Sequence, residues 1–548
     1  MRRWIETAAA VLGLLALGCG GERSDAVVLH NGVIYTANPA GPWAQAVMIE
    51  GDRIVMVGSN DSVLAAAPRG ARRIDVGQRV VVPGFNDAHD HIAPMLPALN
   101  LVLSDSPIPD PSGNTVRDSI AAAARRTPAG RRIRVEVGEL VLSDPRIRRD
   151  LLDLIAPAHP VEIRAWSGHG IILNSAALAA AGITDTTPDP WGGWLERSST
   201  GRLTGLLEEY ADFNALAALS PRTDSAAIAA FVQRSAAAIR WGITSIQNMT
   251  LGNDDEMMSR IVPKLDLPIR LRLIRFPLTT ATGVARQPLK SVAAPPGITV
   301  SGTKWIVDGT PVERGAALRA PYSDRAGWYG RINFPPDTLR VLLEEAVRAN
   351  EQPHFHAVGD SAIALVLSLL EKTAPDSVWR ALRPRIEHGE GLTPDQMALA
   401  KRFGVILVQN ATHFALGPSM SRRYGNDRMA VVQPARSALA NGVAFAFGSD
   451  GPANPFLNIL LATSHPNNPK EALSVEQAIS AYTAGSAFAE HREKEKGMLA
   501  AGLLADLAVL SQDIFSVPRV ELPRTVSLLT LVGGRPVRDS LGWWSKGR

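Results

Sequence analysis

The chain contains very little cysteine, because Cys19 is the only one among 548 residues. A lone cysteine cannot form a disulfide within the chain, which excludes a disulfide scaffold. Its position near the N-terminus also argues against a thiol nucleophile in the body of the protein. The sequence has no G-x-S-x-G serine elbow either. A dense run of basic residues is missing too, and the formal net charge is only +4, so nothing indicates a nucleic-acid partner.

A stretch of about 20 apolar residues, as a membrane-spanning helix needs, is also absent near the N-terminus. The apolar run there, residues 8–17, is ten residues long, follows two arginines and precedes Gly18 and Cys19. This order predicts a signal peptide over residues 1–18. Cys19 resembles the lipidated cysteine of a bacterial lipoprotein, which predicts an exported protein of the periplasm or cell envelope, attached to the membrane through a lipid. An ordinary cleaved signal peptide is the alternative.

Short β-rich segments follow at both ends of the remaining chain. After a polar linker at residues 19–25, residues 26–79 contain runs of Val and Ile broken by Asn-Gly and Gly-Asp turn signals, which predict antiparallel strands. Residues 497–548 show the same pattern of short apolar runs broken by turn signals. Because the two segments flank a central region, we expect them to form one composite β-sandwich domain.

The central region predicts the α/β class, since strands alternate with helices as in a (β/α)8 TIM barrel. We assign the barrel to residues 80–92 and 226–496. Residues 93–225 are too long for one crossover and predict an inserted subdomain after the first barrel strand. The eight predicted strands are residues 80–85, 244–249, 269–276, 303–309, 353–359, 385–390, 405–410 and 443–450.

Several of these strands end in residues that bind metals. Residues two apart on an extended chain point to the same face, so His89 and His91 can face one ion. Imidazole and carboxylate ligands together suit Zn²⁺ or a similar divalent cation. Because catalytic groups in a barrel lie at the C-terminal ends of strands, residues on later strands are expected at the same site. These later candidates are Lys304, His354, His356, His388 and Asp450.

Each candidate also has a purely structural interpretation. A His-x-His pair occurs in ordinary loops, and a single histidine near a strand end is often only part of the packing. Asp450 could cap a following helix, and Lys304 could pair with Asp308. The set favours a metal centre more than its members do, because several separate strands place such residues at the same end of the predicted barrel.

The motifs around these residues resemble one family. The segment VVPGFNDAHDHI, residues 81–92, is similar to the PGFxDxHxH signature of the amidohydrolase superfamily, with Asn86 in place of the commoner Ile. Residues 167–184 and 187–209 resemble the insertion of the amidohydrolase family 3 group, which includes N-substituted formamide deformylase-like enzymes. GTKWIVDG, HFHAVGD, IEHGE and FAFGSDGP follow the order of that group.

The resemblance implies a centre with one or two divalent metal ions, most simply zinc. A carboxylated Lys304 would bridge two metals, whereas an uncarboxylated Lys304 would leave a one-metal site. Asp450 would contact the first metal and shuttle protons. His169, in the insertion, would contact the substrate, with a loop histidine as the alternative; the family pattern favours His356 over His354 as a ligand. The implied metal ligands are His89, His91, Lys304, His356, His388 and Asp450.

The function that this resemblance implies is hydrolysis of a C–N bond in a small molecule, namely a non-peptide amide, a formamide or a cyclic amide. A metal-bound hydroxide would attack the carbonyl carbon, and Asp450 would pass the proton to the leaving amine. Two alternatives stay open. One is hydrolysis of an ester, lactone or phosphotriester at the same metal site, and the other is a catalytically inactive, lipid-anchored binding protein. A homo-oligomer is compatible with the sequence.

Overall fold

The computed structural model describes residues 25–93, 98–106, 108–219, 223–251, 255–284 and 292–545. The predicted signal peptide and Cys19 lie outside the described residues. Within these ranges, no helix is both long and apolar enough to cross a membrane.

The N-terminal segment forms seven short strands and one helix. Four of the strands make one sheet, in the order β5-β4-β1-β6, and the other three join a second sheet. The elements are β1 (Val27–His30), β2 (Val33–Tyr35), β3 (Trp43–Ala44), β4 (Ala46–Glu50), β5 (Arg53–Gly58), α1 (Asn60–Ala66), β6 (Arg72–Asp75) and β7 (Val80–Pro83).

The first barrel strand differs from the predicted one. Residues 80–85 do not form a single strand, because β7 pairs with β2 and the barrel begins only with β8 (Phe85–Asp90). Gly84 separates the two, and a Cβ there would lie 2.2 Å from the side chain of Thr244. Only glycine therefore lets the chain pass from the sheet into the barrel at this point. Val80–Pro83 and Phe85 are buried, so the apolar run at residues 80–85 covers all of β7 and the first residue of the barrel strand.

The inserted unit after β8 has its own six-stranded sheet, in the order β13-β14-β12-β11-β10-β9. Apolar side chains pack on both faces of this sheet and form two separate clusters. Its elements are β9 (Leu99–Leu101), α2 (Gly113–Arg126), β10 (Ile133–Val137), α3 (Glu139–Leu142), α4 (Arg149–Ile155), β11 (Val161–Ala165), β12 (Gly170–Leu173), α5 (Ser175–Ala180), β13 (Gly193–Arg197), β14 (Leu203–Glu209) and α6 (Tyr210–Leu219).

The central region forms the expected parallel barrel. Eight parallel strands pair in chain order from β8 to β23, and the two edge strands approach each other where the Asp450 N–H donates to the His89 carbonyl over 2.9 Å. The α/β class and the barrel are thus confirmed. The elements are α7 (Asp224–Ala238), β15 (Ile243–Leu251), α8 (Asp255–Ile261), β16 (Arg270–Phe276), β17 (Thr279–Thr280), β18 (Gly283–Val284), β19 (Ile298–Ile306), α9 (Pro336–Ala349), β20 (Pro353–Ala357), α10 (Asp360–Thr373), α11 (Asp376–Leu382), β21 (Arg385–His388), α12 (Pro394–Phe403), β22 (Ile406–Gln409), α13 (Gly417–Tyr424), α14 (Asn426–Met429), α15 (Ala435–Ala440), β23 (Ala444–Phe447), α16 (Pro455–Ser464), α17 (Val475–Ser480) and α18 (Ser486–Ala489). The barrel strands among them are β8, β15, β16, β19, β20, β21, β22 and β23.

The last three strands return to the sheet that contains β7. They are β24 (Leu507–Leu510), β25 (Ser527–Val532) and β26 (Arg535–Asp539), and the complete sheet has the order β26-β25-β24-β7-β2-β3. Apolar side chains of this sheet and of the β5-β4-β1-β6 sheet share one core.

Candidate metal centre

A cavity of about 750 Å³ opens at the C-terminal ends of the barrel strands. Its floor is formed by the barrel, one wall by the inserted unit and another by α7. Two of the candidate metal-site residues, His89 and His354, do not line the cavity, because their side chains are fully buried beneath it. The predicted residues that line the cavity are His91, His169, Lys304, His356, His388 and Asp450.

One group of ligand atoms surrounds His89. The Nζ atom of Lys304 lies 3.1 Å from His89 Nε2 and 3.3 Å from His91 Nε2. The Oδ1 atom of Asp450 lies 3.7 and 3.6 Å from the same two nitrogens. These side chains come from three different strand ends, so the barrel brings together the residues that the His-x-His spacing and the later strands predicted.

Asp450 also faces a second group of nitrogens. Its Oδ2 atom lies 3.9 Å from His388 Nδ1 and 3.8 Å from His413 Nε2. The ring of His413 stacks on that of His388, and the His356 ring lies 4.5 Å from it. His388, His413 and Asp450 offer ligand atoms that all lie within 4.8 Å of one another, as do His89, His91 and Asp450.

These residues fit a divalent cation. His356 Nε2 and His388 Nδ1 are buried and have no hydrogen-bond partner among the described residues. A buried polar atom without a partner is costly, and an imidazole nitrogen beside a carboxylate is a common ligand for zinc and similar ions. The donor set therefore matches the predicted metal centre.

Burial and neighbouring charges shift the pKa values of the candidate ligands toward the protonation states that bind a metal. Burial, and then the charge of Lys304, lower the pKa of His91 to about 4, so its ring is neutral at neutral pH. Burial lowers the pKa of Lys304 to about 8, which increases the neutral amine fraction that carboxylation requires. Burial alone would raise the pKa of Asp450, but the neighbouring His89 and His91 outweigh it and the pKa falls below its ordinary value.

Two structural alternatives are wrong. The Asp308 carboxylate accepts the backbone N–H groups of Ala317, Val358 and Gly359 and does not pair with Lys304. The helix that follows Asp450 is capped by the side chain of Asn454 instead.

Glu387 contacts His354, the deeper of the two histidines of β20. Its Oε1 atom lies 3.0 Å from Nδ1 of His354, which is fully buried below the cavity, whereas His356 lines the cavity. The other oxygen of Glu387 lies 2.7 Å from Nδ1 of His89. His354 therefore lies behind the cavity and does not line it, which agrees with the preference for His356 in the family pattern. Glu387 also orients the His89 ring.

Asp87 links the first and last barrel strands. One of its carboxylate oxygens accepts the backbone N–H of Ser449 at 2.8 Å and that of His89 at 3.2 Å. This pair of bonds fixes the backbone beside His89 and beside Asp450, which is the residue after Ser449.

His169 enters the cavity from the inserted unit. It lies between β11 and β12, its Nδ1 atom is 3.0 Å from Glu209 Oε2, and its ring lies 4.6 Å from that of His356. Burial lowers its pKa. The insertion thus brings a neutral histidine to the cavity, close to the candidate metal ligands.

His413 was missed by the sequence analysis. It lies in a short 3-10 helix after β22, residues 411–415, and its Nδ1 atom is 3.2 Å from Glu390 Oε1. Burial alone would lower the pKa of His413, but the hydrogen bond to Glu390 and the charges of Glu390 and Asp450 together outweigh it, and the pKa is raised. The only available signal was its place just after a predicted strand, without the spacing of a motif.

The chain is similar to known amidohydrolases and metal-dependent hydrolases. The sequence profile described as Amidohydrolase family matches residues 72–538. YtcJ of Bacillus subtilis (strain 168), whose name places it among the amidohydrolases, is 29% identical over 544 residues, 93% of this chain and 99% of YtcJ. N-substituted formamide deformylase of Arthrobacter pascens is 26% identical over 530 residues, 93% of this chain and 97% of that protein. The crystal structure of an uncharacterized metal-dependent hydrolase from Pyrococcus horikoshii has a TM-score of 0.67 at 20% identity, covering 90% of this chain and 99% of that one.

Proposed function

Because the chain belongs to the amidohydrolase family, we propose that it is a metal-dependent hydrolase that cleaves a non-peptide C–N bond in an amide, formamide or cyclic amide. The observation that carries the proposal is the convergence of His89, His91, Lys304 and Asp450 at the end of the barrel, with Lys304 Nζ 3.1 Å from His89 Nε2. The deformylase relative supports the choice of a C–N bond, since its name specifies N-substituted formamides.

The metal ligands of this proposal come from both groups of side chains. Zinc is the ion that imidazole, carboxylate and a carboxylated lysine suit best. When bound, it would lower the pKa of a coordinated water from 15.7 to about 7 and polarise the carbonyl group of the substrate. The proposed ligands are His89, His91, Lys304, His356, His388 and Asp450.

Asp450 is the proposed proton carrier. Its side chain is 22% exposed, so it is reachable from the cavity, and its two oxygens face different groups of nitrogens. As a carboxylate it accepts a proton from the attacking water and delivers it to the leaving nitrogen. The other carboxylate that lines the cavity is Asp90, and it forms an ion pair with Arg234 at 2.7 Å. Asp450 is therefore the better candidate for proton transfer.

His169 is the proposed substrate contact. Burial raises the pKa of Glu209 well above its ordinary value, so its protonated carboxyl donates to Nδ1 of His169. The ring then carries its own hydrogen on Nε2. This N–H can donate to the oxygen of the substrate carbonyl and stabilise the charge that develops there.

The test is turnover of a panel of N-substituted formamides, simple amides, cyclic amides, esters, lactones and phosphotriesters by the zinc-loaded protein. We expect formamides or amides to be hydrolysed, activity to be lost with a chelator, and activity to return with Zn²⁺. His89→Ala should lose both zinc and activity. His30→Ala is the matched control, since His30 lies at the end of β1, far along the chain from the barrel strands.

The alternatives predict different results. Faster hydrolysis of esters, lactones or phosphotriesters than of any amide would favour the second reaction class. Stoichiometric zinc without turnover of any compound would favour a binding protein. Full activity of His89→Ala would show that the metal assignment is wrong.

A further inference from the structure

Arg164 lies on the wall of the cavity that the inserted unit provides. It belongs to β11, in which Val161, Ile163 and Ala165 alternate into the apolar core of the insertion. Alternation along the strand places Arg164 on the opposite face, and its side chain lines the same cavity as Lys304 and Asp450. The insertion thus places a permanent positive charge beside the reaction site.

The guanidinium group of Arg164 lacks the partners that such a group normally has. Its Nε atom is buried without a hydrogen-bond partner, and among the described residues it forms no ion pair. Arg234, the other arginine that lines the cavity, is paired with Asp90 at 2.7 Å. Arg164 is partly buried, so its guanidinium group loses contact with water at Nε without gaining a hydrogen-bonded counter-charge, and it is suited to receive an anion from the cavity.

One buried carboxyl group, Asp212, is an electrostatic neighbour of Arg164. Burial raises the pKa of Asp212 to about 7, and Arg164 acts in the opposite direction. Both carboxyl oxygens of Asp212 are buried and have no hydrogen-bond partner among the described residues, Arg164 included. Asp212 therefore compensates the charge of Arg164 only in part. The N–H groups of Arg164 remain available to a ligand in the cavity.

Much of the remaining cavity lining is apolar, beside the polar Ser167 and Gln233. The apolar residues include Ile92, Ala226, Ala229, Ala230, Leu251 and Phe276. A wall of this kind fits a hydrocarbon or aromatic body, with polar contacts only at its ends.

We propose that Arg164 binds a carboxylate of the substrate, so that the protein acts on amides or formamides that carry a carboxylate on an apolar or aromatic body. The inference rests on the proposed function and adds the chemical class of the substrate. The planar guanidinium group donates two parallel hydrogen bonds to a carboxylate, which holds the substrate in one orientation. Arg164 is then a specificity residue of the inserted unit, not a member of the metal centre.

The test compares two substrates that differ only in this charge, 4-formamidobenzoate and 4-formamidobenzamide, with the full-length zinc-loaded protein. The wild type should favour the benzoate by tenfold or more in kcat/KM, on the order of a hydrogen bond to a charged group. Arg164→Met should lose this preference, mainly through a higher KM for the benzoate, and keep its activity on the benzamide. Arg164→Lys should keep only part of the preference, because it retains the charge but not the planar fork.

The matched control is Arg202→Met in the same inserted unit. The Arg202 side chain is 42% exposed, pairs with Asp150 and does not line the cavity. This variant should keep the wild-type preference. Thermal unfolding checks that each variant is folded, and Arg164→Lys replaces Arg164→Met if the latter is not.

Three results would overturn the inference. The first is an unchanged preference for the benzoate in Arg164→Met, which would mean that the metal or Arg234 holds the carboxylate. The second is a wild type without the preference, and the third is an equal loss in Arg202→Met. If neither compound is hydrolysed, the proposed function fails on its own, and calorimetric binding of 4-formamidobenzoate decides about Arg164. Weaker binding by Arg164→Met than by the wild type would then support the inference, and equal binding would refute it.

Discussion

The carboxylate of Glu387 joins His89 to His354, with its two oxygens 2.7 and 3.0 Å from the Nδ1 atoms of the two rings. The Arg385 side chain donates to the same carboxylate. Because a carboxylate accepts the hydrogen on Nδ1 of His89, the lone pair of Nε2 points toward Lys304 and His91. The orientation of His89, the buried proposed metal ligand, therefore depends on a residue that does not itself face the cavity.

Glu387→Gln should weaken zinc binding. The loss of a carboxylate behind a histidine ligand typically lowers metal affinity by about 10–100-fold, and competition with a chromophoric chelator measures it. Glu351→Gln is the control, since Glu351 pairs with Arg275 and is not part of the cavity. Equal zinc affinity in Glu387→Gln and in the wild type would show that the contact does not orient the ligand.

The pair of His169 and Glu209 can be tested by two substitutions of Glu209. If the protonated carboxyl donates to His169, then Glu209→Gln keeps the donor and most of the activity. Glu209→Ala removes it, and kcat/KM should fall by about tenfold, the effect of one hydrogen bond, with zinc content unchanged. Glu208→Ala is the neighbouring control, because Glu208 pairs with Arg331 instead. Equal losses in Glu209→Gln and Glu209→Ala would mean that the carboxylate form is required.

The buried carboxyl of Asp212 predicts a pH dependence of stability. Burial raises its pKa from 3.8 to about 7. Between these two values the unfolded chain releases the proton while the folded protein retains it, so the free energy of unfolding falls as pH rises. Above about pH 7 both states are ionised and the full cost of the buried charge remains.

Asp212→Asn removes this titration. Its thermal midpoint relative to the wild type should be higher at pH 8 than at pH 4, by roughly 2 °C or more. Thermal unfolding of both proteins across this range measures the difference. A constant difference between the two midpoints at all pH values would contradict the prediction.

Cys19 is the proposed membrane anchor. Cys19→Ala should release the protein from the membrane fraction into the periplasm of an expressing bacterium, because the lipid can no longer be attached. Fractionation and immunoblotting check this, with Gly21→Ala as a control substitution just after the cysteine. A wild-type protein that is already entirely in the periplasmic fraction would refute the anchor and favour an ordinary signal peptide.

Part of the site was predictable because it follows from strand geometry. The two-residue spacing of His89 and His91 and the strand ends at Lys304, His388 and Asp450 were sufficient to expect one cluster, which the barrel forms. The spacing alone did not separate His354 from His356, since both lie on one face of β20. Their difference in depth follows from their positions along β20, and the deeper His354 contacts Glu387 of the neighbouring strand.

Other features required the three-dimensional structure. His413 lies in a 3-10 helix, where neither a strand period nor a motif marks it. In the sequence, nothing distinguishes Arg164 from other charged residues on a strand. Its position at the cavity depends on how the insertion packs against the barrel. The run of residues 80–85 is apolar throughout, and a fully buried strand of a terminal sheet has the same pattern as one of a barrel.

The passage through Gly84 has a consequence for the order of synthesis and folding. β7, which leads through this glycine into the strand of His89, is held on one side by β24, close to the C-terminus. The partner of β7 is therefore among the last segments of the chain to be made. The strand of His89 is made early, but the strand that anchors it through β7 is made late, so we expect the proposed metal centre to form only when nearly the whole chain is available to fold.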